Sequence, residues 1–270
     1  MDTLLIDIAV GGTICAIAMF FANRFAQGKK TSKAKFYIIF IGVILALIVF
    51  KNAYVQPKYE EWRSITGIDN ELAKAEPYAT LKTTFPEEYN KIRDVLTNSI
   101  RAKETRQEAY LKARPVLMGI IMSKTKIASD AALTSFATSF VKTATYYYGK
   151  GQPDFAFDII YNQKNLPRDW YKALPREFAE AEAANYRQVL LSAAENKIPI
   201  TDKSKTDKLI ESIALELYSK HGDDIQLIQT PLAHPDKKAK IVKITIDFYS
   251  KILKLPDADR GMVLRQLFAN

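Results

Sequence analysis

The sequence predicts an all-α protein in two parts: an N-terminal two-helix transmembrane hairpin, residues 1–55, and a multi-helix soluble domain of short antiparallel helices, residues 56–270. Three observations carry that reading. Two strongly apolar stretches, 4–22 and 36–50, flank a linker that holds basic residues and no acid. Six prolines are each followed within three residues by Asp or Glu, which marks helix starts. Between those starts, apolar residues recur at intervals of three and four, the period of a helix with one buried face.

The first apolar stretch has nineteen residues, or ~28 Å as a helix, enough for a bilayer core of ~30 Å. The second has fifteen. Continued through Ala53 and Val55 to give a helix over 36–55, with Lys35 and Lys51 snorkelling, it also reaches ~30 Å. The linker basics Arg24, Lys29, Lys30, Lys33 and Lys35 form a cytoplasmic retention signal, because positive charge in short loops stays inside. Both ends of the hairpin then lie outside. The expected place is a bacterial inner membrane, crossed twice, with the C-terminal domain periplasmic. A cleaved signal peptide is not expected, since the start has no basic region and no small-residue cleavage site precedes Arg24.

Small residues four apart, Gly12 with Ala16 and Gly42 with Ala46, allow close helix packing within the membrane. Asp7 lies in the first turn of its apolar segment, near water and the positive end of the helix dipole, which explains its charge without ion traffic. Tyr54, Tyr59 and Trp62 fall where an interfacial aromatic belt is expected.

Charge excludes one class of partner. Six of the 39 basic and two of the 30 acidic residues precede residue 56, leaving 33 against 28 and a net charge of +5 for the rest. Lys and Arg are interleaved there with Asp and Glu instead of clustered on a face, so nucleic acid is not expected as a partner. The single cysteine, Cys15, is in the first apolar stretch. The large domain therefore holds no disulfide.

The helix starts are Pro86, Pro153, Pro167, Pro175, Pro235 and Pro256. Stripes follow: Tyr89, Ile92 and Leu96; Leu133, Phe136, Phe140, Ala144 and Tyr147; Leu209, Ile213 and Leu217; Ile241, Ile244, Phe248 and Ile252. Gly149 with Gly151 and His221 with Gly222 mark helix ends. Pro115, inside a helical pattern over 105–123, predicts a kink or break. The linker-like run 197–205 predicts a possible subdomain break near residue 200. The most β-like runs, 224–229 and 240–246, are too short for strands. The Leu-Pro-Arg-acid-aromatic order at 166–170 recurs at 174–178, giving two consecutive helix starts without the period of a helical solenoid.

No motif names a reaction. His221 and His234 stand beside helix boundaries without the spacing of a zinc helix or a di-iron bundle, so no metal and no cofactor is expected. Gly149-Lys150-Gly151 lacks the spacing of a phosphate loop. Glu211-Ser212 on an amphipathic helix is the one hint of a peptidoglycan hydrolase, through a glutamate with a raised pKa.

The richest chemistry is aromatic. Tyr146, Tyr147 and Tyr148 lead to Lys150, Phe155, Phe157, Tyr161, Trp170 and Tyr171. Three successive residues of a helix turn by ~100° each, so the tyrosines cannot all face inward. Tyr147, Tyr148, Lys150, Trp170 and Tyr171 are accordingly the expected partner-contact residues. The function expected is non-enzymatic: a membrane-anchored interaction subunit of a bacterial envelope assembly, such as a secretion or conjugation complex. Its partners would be the lipid bilayer, other membrane or envelope proteins, or a second copy of the chain. The alternatives are an immunity protein neutralising a periplasmic toxin and, behind it, the hydrolase.

Overall fold

The computed structural model describes residues 17, 19, 33–161, 174–195 and 202–269. The chain divides into two compact units, Met1–Gly67 and Ile68–Asn270. The division falls after residue 67, within a helix that continues past Val55.

Helix α1 covers Lys33–Phe50, a π-helical turn covers Lys51–Val55, and α2 covers Gln56–Leu72, its last five residues belonging to the second unit. Lys33 and Lys35, assigned to the linker by sequence, open α1. The π turn has a local cause. Pro57 has no N–H to give to the preceding turn, and the Gln56 N–H reaches back five residues to the Lys51 carbonyl, so the turn widens where the ladder is interrupted. One helix among the described residues, Phe40–Leu72, is long and apolar enough to cross a membrane, and none of its apolar window is buried. The other half of the expected hairpin, 4–22, lies outside the described residues except for Ile17 and Met19, which are helical and exposed. Gly12, Ala16, Arg24, Lys29 and Lys30 also lie outside them. Gly42 and Ala46 are exposed, and a Cβ at Gly42 meets nothing within 4 Å, so their expected packing against a second helix is not seen among the described residues.

Every regular element among the second unit's described residues is helical. Its helices are α3 (Tyr78–Thr84), α4 (Pro86–Arg101), α5 (Arg106–Thr125), α6 (Asp130–Gly149), α7 (Pro153–Tyr161), α8 (Arg176–Ala194), α9 (Lys203–His221), α10 (Lys238–Ile252) and α11 (Asp257–Ala269). Three short 3-10 segments, Gly222–Ile228, Pro231–Ala233 and Pro235–Lys237, join α9 to α10. Several helices run to 19 or 20 residues, longer than the short helices expected. Pro115 is one reason: it sits inside α5 without ending it. The lost hydrogen bond and ring clash cost ~3 kcal/mol in an isolated helix, and packing against α4, α8 and α11 holds α5 together.

Helix starts are chemical events. Thr105 and Glu108 form a capping box on α5, with the Glu108 N–H donating to the Thr105 hydroxyl at 3.3 Å and the Thr105 N–H donating to Oε2 of Glu108 at 2.9 Å. Ser129 caps α6 and Asp202 caps α9 through their side-chain oxygens. Gly222, at φ +59°, closes α9 in a backbone conformation that a side chain would strain. The linker expected at 197–205 gives way at Lys203 to α9, and 196–201 lies outside the described residues.

The organising element is α6, against which α7, α8, α10 and α11 all pack. Only Asp130 and Lys142 carry charge along it, and Ala132, Ala137 and Ala144 let neighbours approach closely on more than one side. The main core includes Leu81, Ile92, Leu96, Ile121, Leu133, Leu190, Leu217 and Leu264. A second cluster, with Tyr147, Phe157, Ile241 and Val242, gathers where the end of α6 meets α7 and α10. Burying each large aliphatic side chain stabilises by ~1.5–3 kcal/mol.

Candidate functional site

The aromatic region chosen from sequence divides on folding. Tyr147 is 2% exposed and packs edge-on against Phe155, with ring centroids 4.7 Å apart. It is a core residue, which corrects its expected place at a partner contact: the face of α6 that carries Tyr147 also carries Ala144, and α7 and α10 cover it. Burial pushes the Tyr147 hydroxyl pKa up, with a smaller push from Tyr146. Tyr146 and Tyr148 are half-buried. Lys150 is exposed, donates to the Tyr146 hydroxyl at 2.5 Å and lies 4.3 Å from that ring's centroid. Trp170 and Tyr171 lie outside the described residues. Of the five expected contact residues, Tyr148 and Lys150 are thus left near the surface of this region.

The helices also line a partly open cavity of about 290 Å3. It is walled by α5, α6, α7, α8, α10 and α11, mainly through aromatic and aliphatic groups such as Phe136, Phe140, Ile159, Ile160, Phe178 and Phe268. A second cavity of about 530 Å3 lies against α9 and α10 and shares Tyr161, Thr245, Tyr249 and Leu267 with the first.

The polar groups around the first cavity are mostly spent on one another. Asn185, buried on α8, accepts from Ser135 at 2.6 Å and donates to Ser139 at 2.6 Å. Arg114 pairs with Glu182 at 3.3 Å. The Tyr186 hydroxyl donates to Glu182 at 2.5 Å, and burial first, then the Glu182 charge, raises its pKa well above the usual tyrosine range. At the shared wall, Thr245 donates to the Ile241 carbonyl at 2.8 Å. In the 2.6 Å contact between Tyr161 and Thr245 the proton must then come from Tyr161. Tyr249 is different. Its ring packs on Phe140 and Phe248, yet no hydrogen bond to its hydroxyl is formed among the described residues. Burial pushes its pKa up and nearby Tyr161 adds to the effect, so it remains a protonated donor at neutral pH.

Sequence reading missed Tyr249, Thr245 and Asn185. Thr245 and Tyr249 continue the Ile241 stripe at intervals of four, and a polar member on an apolar stripe was the signal.

The catalytic candidates do not assemble. Glu211 is exposed on α9 at the edge of the larger cavity, without the enclosure that a glycosidase acid uses. Among the described residues no group of three or more His, Cys, Asp or Glu side chains is placed to hold a metal. His221 instead meets Asp247 at 2.9 Å, beside Lys220 at 2.7 Å and Lys243 at 3.3 Å from the same carboxyl group. Burial works to raise the Asp247 pKa, but the hydrogen bonds from Lys220 and His221 and the charge of Lys243 together hold it below the usual carboxylate range. His234 lies 3.5 Å from the Thr230 hydroxyl at the junction of two 3-10 turns.

Comparison with known proteins finds no matching family, no similar curated protein and no solved structure of similar fold.

Proposed function

We propose that the chain is a non-enzymatic, membrane-anchored interaction subunit of a bacterial envelope assembly, of the kind that serves secretion or conjugation. The observation that carries this reading is the helix from Phe40. Over its apolar part Leu45, Val49 and Phe50 are 57%, 64% and 55% exposed. Apolar surface this continuous is costly in water and stable in lipid. The stretch 4–22 pairs with it as the second arm of a hairpin in the inner membrane, through Gly12, Ala16, Gly42 and Ala46. Arg24, Lys29, Lys30, Lys33 and Lys35 hold the connection on the cytoplasmic side, which puts the helical domain in the periplasm.

The domain then acts by contact. Tyr148 and Lys150 offer a half-buried aromatic beside an exposed cation, a pairing suited to protein interfaces. Other envelope proteins or a second copy of the chain are the partners.

Crosslinking in intact membranes, with protease accessibility in spheroplasts, tests place and partner together. Envelope proteins should be captured, the helical domain should be cut from the periplasmic side, and Tyr148→Ala should lower the crosslinked yield while leaving the helical circular dichroism unchanged. Recovery of the full chain in the supernatant after ultracentrifugation of a detergent-free lysate would overturn the anchor. Unchanged yields with Tyr148→Ala would remove the aromatic surface.

A further inference from the structure

We propose that the cavity between α6, α7 and α10 binds an uncharged single-chain lipid, its chain lying among Phe140, Ile159, Ile160 and Phe268 and its one polar acceptor bonded to the Tyr249 hydroxyl. The inference concerns the helical domain alone and goes beyond the contact role proposed above.

Three features select that ligand. The walls are apolar and aromatic, and Met118 and Met122 add adaptable thioethers, so the space suits a hydrocarbon of variable shape. Its charges are already matched: Arg114 and Glu182 pair with each other. An ionised ligand would therefore give up its water without gaining a countercharge, whereas a neutral one loses little. A chain also suits the geometry better than a compact molecule, because the two cavities adjoin through the shared Tyr161, Thr245, Tyr249 and Leu267.

The hydrogen-bond inventory sets the depth of the polar group. Thr245 gives its proton to Ile241 and Tyr161 gives its own to Thr245. Tyr249 alone in this trio has a proton left to donate among the described residues. Tyr249 lines both cavities, and an ester or alcohol oxygen at that depth gives its hydroxyl the acceptor that no described residue supplies. Burial keeps that hydroxyl protonated far above neutral pH, so binding should be flat across the physiological range.

The test uses the full chain in phosphatidylcholine nanodiscs with a monoacylglycerol bearing a diazirine near the middle of its chain. Photolabel should map to peptides containing Phe140 or Ile159 and Ile160, and unlabelled 1-monooleoylglycerol should displace it. Tyr249→Phe removes one oxygen and leaves the ring packing in place; it should weaken displacement by about tenfold, the value of one hydrogen bond. Ile160→Trp, which fills the space, should abolish the cavity label, with circular dichroism confirming the fold. Label confined to the membrane helix, unchanged displacement in Tyr249→Phe, or oleate competing as well as the neutral lipid would each overturn the proposal. Captured envelope proteins play no part in these readings, so the proposal and the contact role fail separately.

Discussion

Arg265 reaches from α11 to the first turn of α6, where Nη2 donates to Asp130 at 2.6 Å and to the Ala128 carbonyl at 2.8 Å. The arginine is 4% exposed, and Asp130 lies over Gly261 so closely that a Cβ there would fall 2.1 Å from the carboxyl carbon and 2.5 Å from the Asp130 Cβ. Gly261 is thus the space that lets the pair close. Gly261→Ala should push Asp130 off Arg265 and cost about 2–3 kcal/mol, the combined scale of overpacking and a weakened charged hydrogen bond. Urea denaturation of the full chain in detergent micelles would measure it. A midpoint unchanged from wild type would show that α11 shifts freely and that the pair is incidental.

The capping box of α5 makes a smaller, local contribution. Thr105→Ala removes the side-chain acceptor for the Glu108 N–H and leaves the bond that the residue-105 backbone N–H donates to the Glu108 carboxylate. The expected loss is about 1 kcal/mol, read as a lower urea midpoint. Glu108→Ala added to Thr105→Ala should cost less than the sum of the two single changes, because each bond positions the other.

Local chemistry made most of this fold legible. Pro86 and Pro153 open α4 and α7, Pro175 precedes α8, and Pro256 precedes α11, because a proline and a nearby acid suit a helix start whatever surrounds it. Pro235 opens a 3-10 turn one step before α10, and Pro167 lies outside the described residues. Gly149 and Gly222 fall at the expected ends. What local pattern does not contain is which helix the others surround. The near absence of charge on α6 is a sign of it, yet only tertiary packing shows Tyr147 turned inward while Tyr146 and Tyr148 are half-covered. The cavity is harder still, since its walls come from six helices and its free donor is defined by where the protons of Tyr161 and Thr245 go.

That inward turn distinguishes neighbouring substitutions. Tyr147→Ala removes a ring from the cluster with Phe155 and Phe157 and should cost about 3–4 kcal/mol. Lys150→Ala trims an exposed side chain at the end of α6 and should cost no more than about 0.5 kcal/mol. Thermal unfolding followed by circular dichroism would separate them, and equal effects would mean that the end of α6 is not packed as described.

Asp247 should make the domain sensitive to acid. Its carboxyl is held below its unfolded pKa by Lys220, His221 and Lys243 despite burial. The resulting stability is complete above the unfolded value of 3.8 and is lost as pH falls from there through the folded value. Asp247→Asn should therefore be less stable than wild type at pH 7, and the gap should narrow as pH falls toward 3. Urea midpoints at several pH values give the comparison. A gap that stays constant with pH would mean that the aspartate acts through packing alone.

At the alkaline end the same linkage runs in the other direction through Tyr78. Burial, then the neighbouring Tyr110, pushes its pKa from 10.0 to about 12, with Arg114 opposing and Glu182 adding to the rise. An unfolded chain ionises this phenol near pH 10 while the folded domain keeps it neutral, so the unfolded state releases a proton that the folded state retains. Stability supplied by the neutral phenol is thus present below pH 10 and falls as pH rises toward 12. At ~1.4 kcal/mol per unit the loss over two units is about 3 kcal/mol, and Tyr186, whose pKa is also raised, adds to it. Tyr78→Phe keeps the ring and cannot ionise, so its urea midpoint should fall less than that of wild type between pH 9 and pH 11. Parallel declines in the two proteins would place the alkaline sensitivity elsewhere in the helical domain.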